Sequence, residues 1–139
     1  MNISLQEFDV ATVVRQAVDT IRPLALQNEN SVSLHCSANV GVIRADLVKT
    51  RQLLADLLGS AAKSTLKGTI DVEVEQFSDV GRAVIIFAVD SSARTSDAQG
   101  ADELASVSRV CSLMYGCVDV ASRPDDRSRF TVCLPLDLT

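Results

Sequence analysis

Arg82-Ala83-Val84-Ile85-Ile86-Phe87-Ala88-Val89-Asp90 is the stretch that decides how this chain folds. Unbroken apolarity over Ala83–Val89 predicts a central strand of a sheet. Just upstream, Thr69–Gln76 sets Ile70, Val72 and Val74 against Asp71, Glu73 and Glu75. That alternation predicts a strand with one buried and one wet face. Ser78-Asp79-Val80-Gly81 between the two runs reads as a hairpin turn, so they form an antiparallel pair. Downstream of Asp90, Ser91 to Gly100 are small and polar and read as a loop.

Working outward, Asp9–Leu26 places Val10, Val13, Val14, Ala17, Val18, Ile21 and Leu24 at helical spacing, with Pro23 expected to distort or end the last turn. Val32–Ser37 and Gly41–Arg44 read as short extended pieces. Asp46 then opens a helix running to about Thr65, serving as its cap or first-turn anion. Leu47, Leu54, Leu58 and Ala61 form its stripe, widened by Leu53 and Leu57. Ala101–Tyr115 is a third helix with Leu104, Val107, Val110, Cys111 and Met114 in register, ended by Gly116. Two final strands, Cys117–Ser122 and Arg129–Leu134, flank the turn Arg123–Arg127. This order predicts an α/β two-layer sandwich, a mixed, mostly antiparallel sheet with three helices on one face.

A chain of 139 residues, 47% hydrophobic, is large enough for one real core and reads as a single domain over 1–139. Its net charge of −5 argues against non-specific nucleic-acid binding and against docking on anionic membranes. There is no apolar run of the roughly 18 residues a spanning helix needs, and no leader pattern, so a cytoplasmic location is expected. Cys36, Cys111, Cys117 and Cys133 contain no CxxC pair and read as buried free thiols rather than two disulfides. No metal site is expected, because His35 is the only histidine and has only adjacent Cys36 beside it. His35 sits in a strand-like alternation and reads as a partly exposed strand residue.

In order and spacing, several segments resemble the ATP-binding (catalytic) domain of sensor histidine kinases, within the Bergerat-fold ATPase group. The entry is Phe8-Asp9-Val10 and the helix ending Ile21-Arg22-Pro23-Leu24-Ala25. Ile43-Arg44-Ala45-Asp46 with Arg51-Gln52-Leu53-Leu54 looks like the approach to the family's asparagine box. Leu113-Met114-Tyr115-Gly116-Cys117-Val118-Asp119-Val120 and Phe130-Thr131-Val132-Cys133-Leu134-Pro135-Leu136 look like its closing helix and hairpin. The resemblance covers almost the whole chain and implies the Bergerat fold.

The resemblance assigns Asp56, Ser60 and Lys63 to the asparagine-box helix, where the family holds magnesium. Their i, i+4, i+7 spacing puts them on one helical face. Serine reaches less far than asparagine, and a solvated face with an incidental charge pair is the competing reading. Asp90 takes the place of the first-glycine-box carboxylate that accepts a hydrogen bond from the adenine amino group, or else is simply a strand-terminal turn residue. Ser92 and Arg94 stand where that box has glycines. The second glycine box, expected to meet phosphates at a helix start, has Gln99, Ala101 and Glu103 at its glycine positions. Asp102 and Glu103 bring negative charge there, although acidic residues are also ordinary at a helix start. The lid shrinks to Ser91–Gly100.

Three altered motifs in one pocket point to a degenerate domain, a pseudokinase without a cofactor. It would act as a regulatory or protein-docking module in two-component phosphorelay signalling. The partners so implied are a response regulator or another signalling protein, and upstream dimerisation and phosphoacceptor helices in a longer protein. An active module binding ATP and Mg through Asp56, Ser60, Lys63 and Asp90, or an anti-sigma-like partner-switching domain, are the alternatives.

Overall fold

The computed structural model describes residues 4–38, 40–79, 82–92, 107–122 and 128–135. Its elements are β1 (Leu5–Asp9), α1 (Val10–Gln27), β2 (Ser31–Cys36), β3 (Val42–Asp46), α2 (Leu47–Ser64), β4 (Thr69–Asp79), β5 (Arg82–Ser91), α3 (residues 107–113), β6 (Cys117–Ser122) and β7 (Ser128–Pro135). Five strands form one sheet in the order β2-β4-β5-β7-β6, and β1 pairs with β3 in a separate antiparallel ribbon. Among the described residues, only the β2–β4 pair is parallel. The expected α/β sandwich, a mixed and mostly antiparallel sheet with three helices, is the fold observed.

Pleat parity explains the layering. Ile70, Val72 and Val74 of β4 lie opposite Ser91, Val89 and Phe87 of β5, and Ile85, Phe87 and Val89 lie opposite Leu134, Val132 and Phe130 of β7. These side chains share one sheet face and join the core built from Val14 and Val18 of α1, Leu53, Leu54 and Leu58 of α2, and Val107, Cys111 and Met114 near the chain's third helix. Each fully buried side chain of that size contributes about 1.5–3 kcal/mol of burial. The other face carries His35, Asp71, Glu73, Glu75, Ile86, Asp90, Arg129 and Cys133 by the same alternation.

Both long helices spring from a strand without a loop. Asp9 ends β1 and caps α1, its Oδ2 accepting from Thr12 N at 3.1 Å and Thr12 Oγ1 at 2.7 Å. Asp46 ends β3 and caps α2, accepting from Lys49 N at 3.0 Å. Gly41, with φ of 60°, makes the left-handed turn into β3, and its carbonyl accepts from Val10 N at 3.0 Å.

Several expectations shift. Leu5–Asp9 is a strand that the sequence showed only as an entry segment. Pro23 does not end its helix, which runs on to Gln27. The lost hydrogen bond is offset by packing, since Ile21 and Ala25 on either side of it are buried. The hairpin is longer than expected, with pairing up to Asp79↔Arg82, and the turn residues 80–81 lie outside the described residues. So do residues 101–106 of the expected third helix and the turn at residues 123–127. That helix does not end in a left-handed glycine: Tyr115 takes the left-handed conformation, φ 56°. Gly116 is required for closeness instead, because a Cβ there would strike the Cys133 carbonyl oxygen and lie 2.7 Å from Leu134 Cδ2. The cysteines depart from the expected burial too: Cys111 is buried, Cys36 and Cys133 half-buried, and Cys117 exposed.

Candidate functional site

Helix α2 is the element on which the expected site depends, and its start is the most firmly held point in it. The Asp46 carboxylate is 3% exposed. It accepts from Ser4 N at 2.9 Å and Lys49 N at 3.0 Å, with the Lys49 ammonium at 3.3 Å. Burial alone would push its carboxyl up, but the two backbone donors and the adjacent ammonium outweigh burial and hold it below the usual carboxylate value.

Along α2, Thr50, Leu53, Leu54, Leu57, Leu58, Ala61 and Ala62 form the buried stripe. Asp56 and Ser60 are half-buried at the edge of that stripe, and Lys63 is exposed one turn further on. The structure therefore keeps these three residues on one helical face, as the spacing requires.

The C-terminal end of α2 is tied to α1 by two asparagines that sequence reasoning missed. Asn28 Nδ2 donates to Ala62 O at 2.9 Å. Asn30, 8% exposed, donates to Thr65 O at 2.7 Å, while its Oδ1 accepts from Gly68 N at 3.1 Å. The only available signal was a pair of asparagines just after a helical pattern, which reads equally well as an ordinary turn. Beside this clasp, Thr65 Oγ1 is buried with no hydrogen-bond partner among the described residues. A Cβ on Gly68 would collide with Ser92 Oγ, so the chain after α2 and the end of β5 are in close contact there.

Asp90 is not on that side. It is 6% exposed, and its Oδ2 lies 3.6 Å from Arg129 Nη1. The other amino nitrogen of the same guanidinium, Nη2, donates to Glu73 Oε2 at 3.3 Å. Asp71, Asp90 and Arg129 are neighbours across three strands on the face turned away from α2. The residue of β5 that follows the core parity of Phe87 and Val89 is Ser91, 1% exposed. The structure thus brings Asp56, Ser60 and Lys63 together and sets Asp90 across the sheet from them. Residues Arg94, Gln99, Ala101, Asp102 and Glu103 lie outside the described residues.

Two grooves formed by described residues contain none of the four. One of about 260 Å³ runs between α1 and α2 and is lined by Val13, Gln16, Thr20, Ile21, Arg51 and Ala55. An open depression lies along the β2–β4 edge by His35, Ser37, Glu73 and Glu75. As a nucleotide cradle the described residues fit only in part. The α2 face and the Thr65 hydroxyl, unpartnered among the described residues, are compatible with a ligand, and Asp90, to which the resemblance would give adenine recognition, is on the other face of the sheet. No group of three potential metal ligands is found among the described residues.

This architecture is similar in fold to the solved catalytic domains of histidine kinases. The histidine kinase AdeS of Acinetobacter baumannii superposes with a TM-score of 0.81 at 15% identity, covering 98% of this chain and 69% of that one. The nucleotide-free catalytic domain of histidine kinase ThkA gives a TM-score of 0.82 at 15% identity, over 99% and 98% of the two chains. Full-length ShkA in complex with AMPPNP gives 0.83 at 23% identity, covering 97% of this chain, which spans 32% of ShkA. No family model and no curated protein matches the sequence. The chain therefore has the histidine-kinase catalytic-domain fold, at identities that establish fold alone.

Proposed function

We propose that this chain is a degenerate histidine-kinase-type ATP-binding domain, a pseudokinase that serves two-component signalling as a regulatory or protein-docking module. The observation that carries this reading is the commitment of Asp90 to Arg129 on the sheet face opposite α2. A carboxylate neutralised by a guanidinium and separated by the sheet from Asp56, Ser60 and Lys63 is poorly placed to accept from an adenine amino group. The sequence adds support: Ser92 and Arg94 replace the glycines of one box, and Gln99, Ala101 and Glu103 those of the other. In this reading the domain grips a response regulator, and helices elsewhere in a longer protein supply dimerisation and the phosphoacceptor histidine. The setting is cytoplasmic, and no described helix is long and apolar enough to cross a membrane.

One observation favours the active alternative. The buried, unpartnered Thr65 hydroxyl beside the end of α2 is the kind of group a bound ligand would satisfy. Thermal melting with an ATP analogue and Mg decides between the readings. A degenerate domain shows no saturable shift. Binding at tenfold excess over Kd would stabilise it by roughly 1.4 kcal/mol, and such a shift abolished by Asp90→Asn overturns the proposal.

A further inference from the structure

Two of the four cysteines meet on the sheet face opposite the described helices. Cys117 of β6 and Cys133 of β7 are direct cross-strand partners in the antiparallel ladder. Their neighbours Val118 and Val132 belong to the opposite, core-facing side, so both thiols project from the same face. Directly opposed residues in such a ladder have Cα atoms about 4.5 or 5.5 Å apart. Either value lies within the span of about 4.4–6.8 Å that a disulfide bridges. Cys117 is exposed, and Cys133 is half-buried.

We propose that Cys117 and Cys133 form a reversible oxidation site, closing to a disulfide that staples the edge strand β6 to β7. The co-reactant class is a peroxide. The exposed Cys117 sulfur attacks one peroxide oxygen, the O–O bond breaks, and a sulfenic acid and one water result. The Cys133 sulfur then attacks the Cys117 sulfur, and the S–O bond breaks. The departing hydroxide takes the Cys133 thiol proton as a second water. Two thiols are oxidised by two electrons and one peroxide is reduced to two waters, while an external dithiol reverses the reaction by exchange.

The remaining cysteines are poor competitors. Cys111 is buried, and burial, followed by the nearby Cys117 and Cys133, pushes its thiol up to about 12, so it stays neutral. Cys36 is on β2, at the far edge of the sheet. Burial, then the neighbouring Cys117, also holds the Cys133 thiol up, so the exposed Cys117 is the sulfur assigned the first attack.

The full chain, reduced and then exposed to hydrogen peroxide, is alkylated, digested and mapped by mass spectrometry. The expected product is a monomer lighter by two hydrogen atoms with Cys117 and Cys133 in one cross-linked peptide, restored by dithiothreitol. Its melting temperature should rise by on the order of 5–10 °C, because the bridge closes a loop through the turn between the strands. Cys36→Ser should still cross-link, and Cys117→Ser and Cys133→Ser should not. The proposal is overturned if Cys117 advances only to sulfinic acid, if it links two chains instead, or if Cys111 is the partner recovered.

Discussion

Asp46 shows how much a single residue can settle. It ends a strand, caps a helix and holds the chain at Ser4 through a carboxylate that is almost wholly buried. Because its folded carboxyl is held below the unfolded value, the stability it provides is fully present above about pH 3.9 and is lost as pH falls through the folded value. Asp46→Asn keeps an accepting oxygen and removes the charge. It should cost about 1 kcal/mol at pH 7 in urea unfolding, with the gap to the unchanged chain closing below about pH 4. A gap that stays constant down to pH 2 would show that the charge at this cap is not what matters. Asp90 makes the complementary point: its identity was legible in the sequence, but its partner was not. Arg129 lies 39 positions away, and only strand register brings the two together.

At the scale of elements, the ends of the helices show where periodicity stops being informative. The stripes of α1 and α2 followed directly from apolar spacing, with α1 ending within a residue of the expected Leu26, whereas the stop signals at Pro23 and at Gly116 after α3 were only partly legible. Pro23 fails to stop α1 because the flanking residues are already packed. Tyr115, not Gly116, takes the left-handed conformation after α3, although its side chain is 79% exposed. A non-glycine residue there carries a conformational cost of about 1–2 kcal/mol, only partly offset by the greater unfolded-state entropy of glycine. Tyr115→Gly should therefore raise stability by roughly 0.5–1 kcal/mol, read as an increase in the urea midpoint at unchanged slope. A decrease would mean that the exposed ring makes contacts worth more than the strain. Asn30 belongs to this scale as well. Its three hydrogen bonds connect helix ends and a loop that are far apart in sequence, so no local pattern could announce it.

For the molecule as a whole, the core is one cluster drawing on three helices and most of the strands, and Phe87 is its largest fully buried side chain. Phe87→Ala should destabilise by about 3–5 kcal/mol in denaturant unfolding, enough to leave a domain of this size marginal. A loss under 1 kcal/mol would mean that the sheet face is not packed as described. The run Ala83–Val89 determined by itself that β5 is central, and alternation over Thr69–Gln76 determined which face of β4 is dry. Helical spacing likewise placed Asp56, Ser60 and Lys63 on one face, because 3.6-residue and two-residue periods are local properties of the backbone. Only the tertiary structure decided that Asp90 pairs with Arg129 across the sheet from that helix. It alone decided that Cys117 faces Cys133, and that Gly116 is demanded by the carbonyl of a distant strand. Those facts depend on strand order and register, which are fixed by burying the apolar surfaces of the entire chain at once.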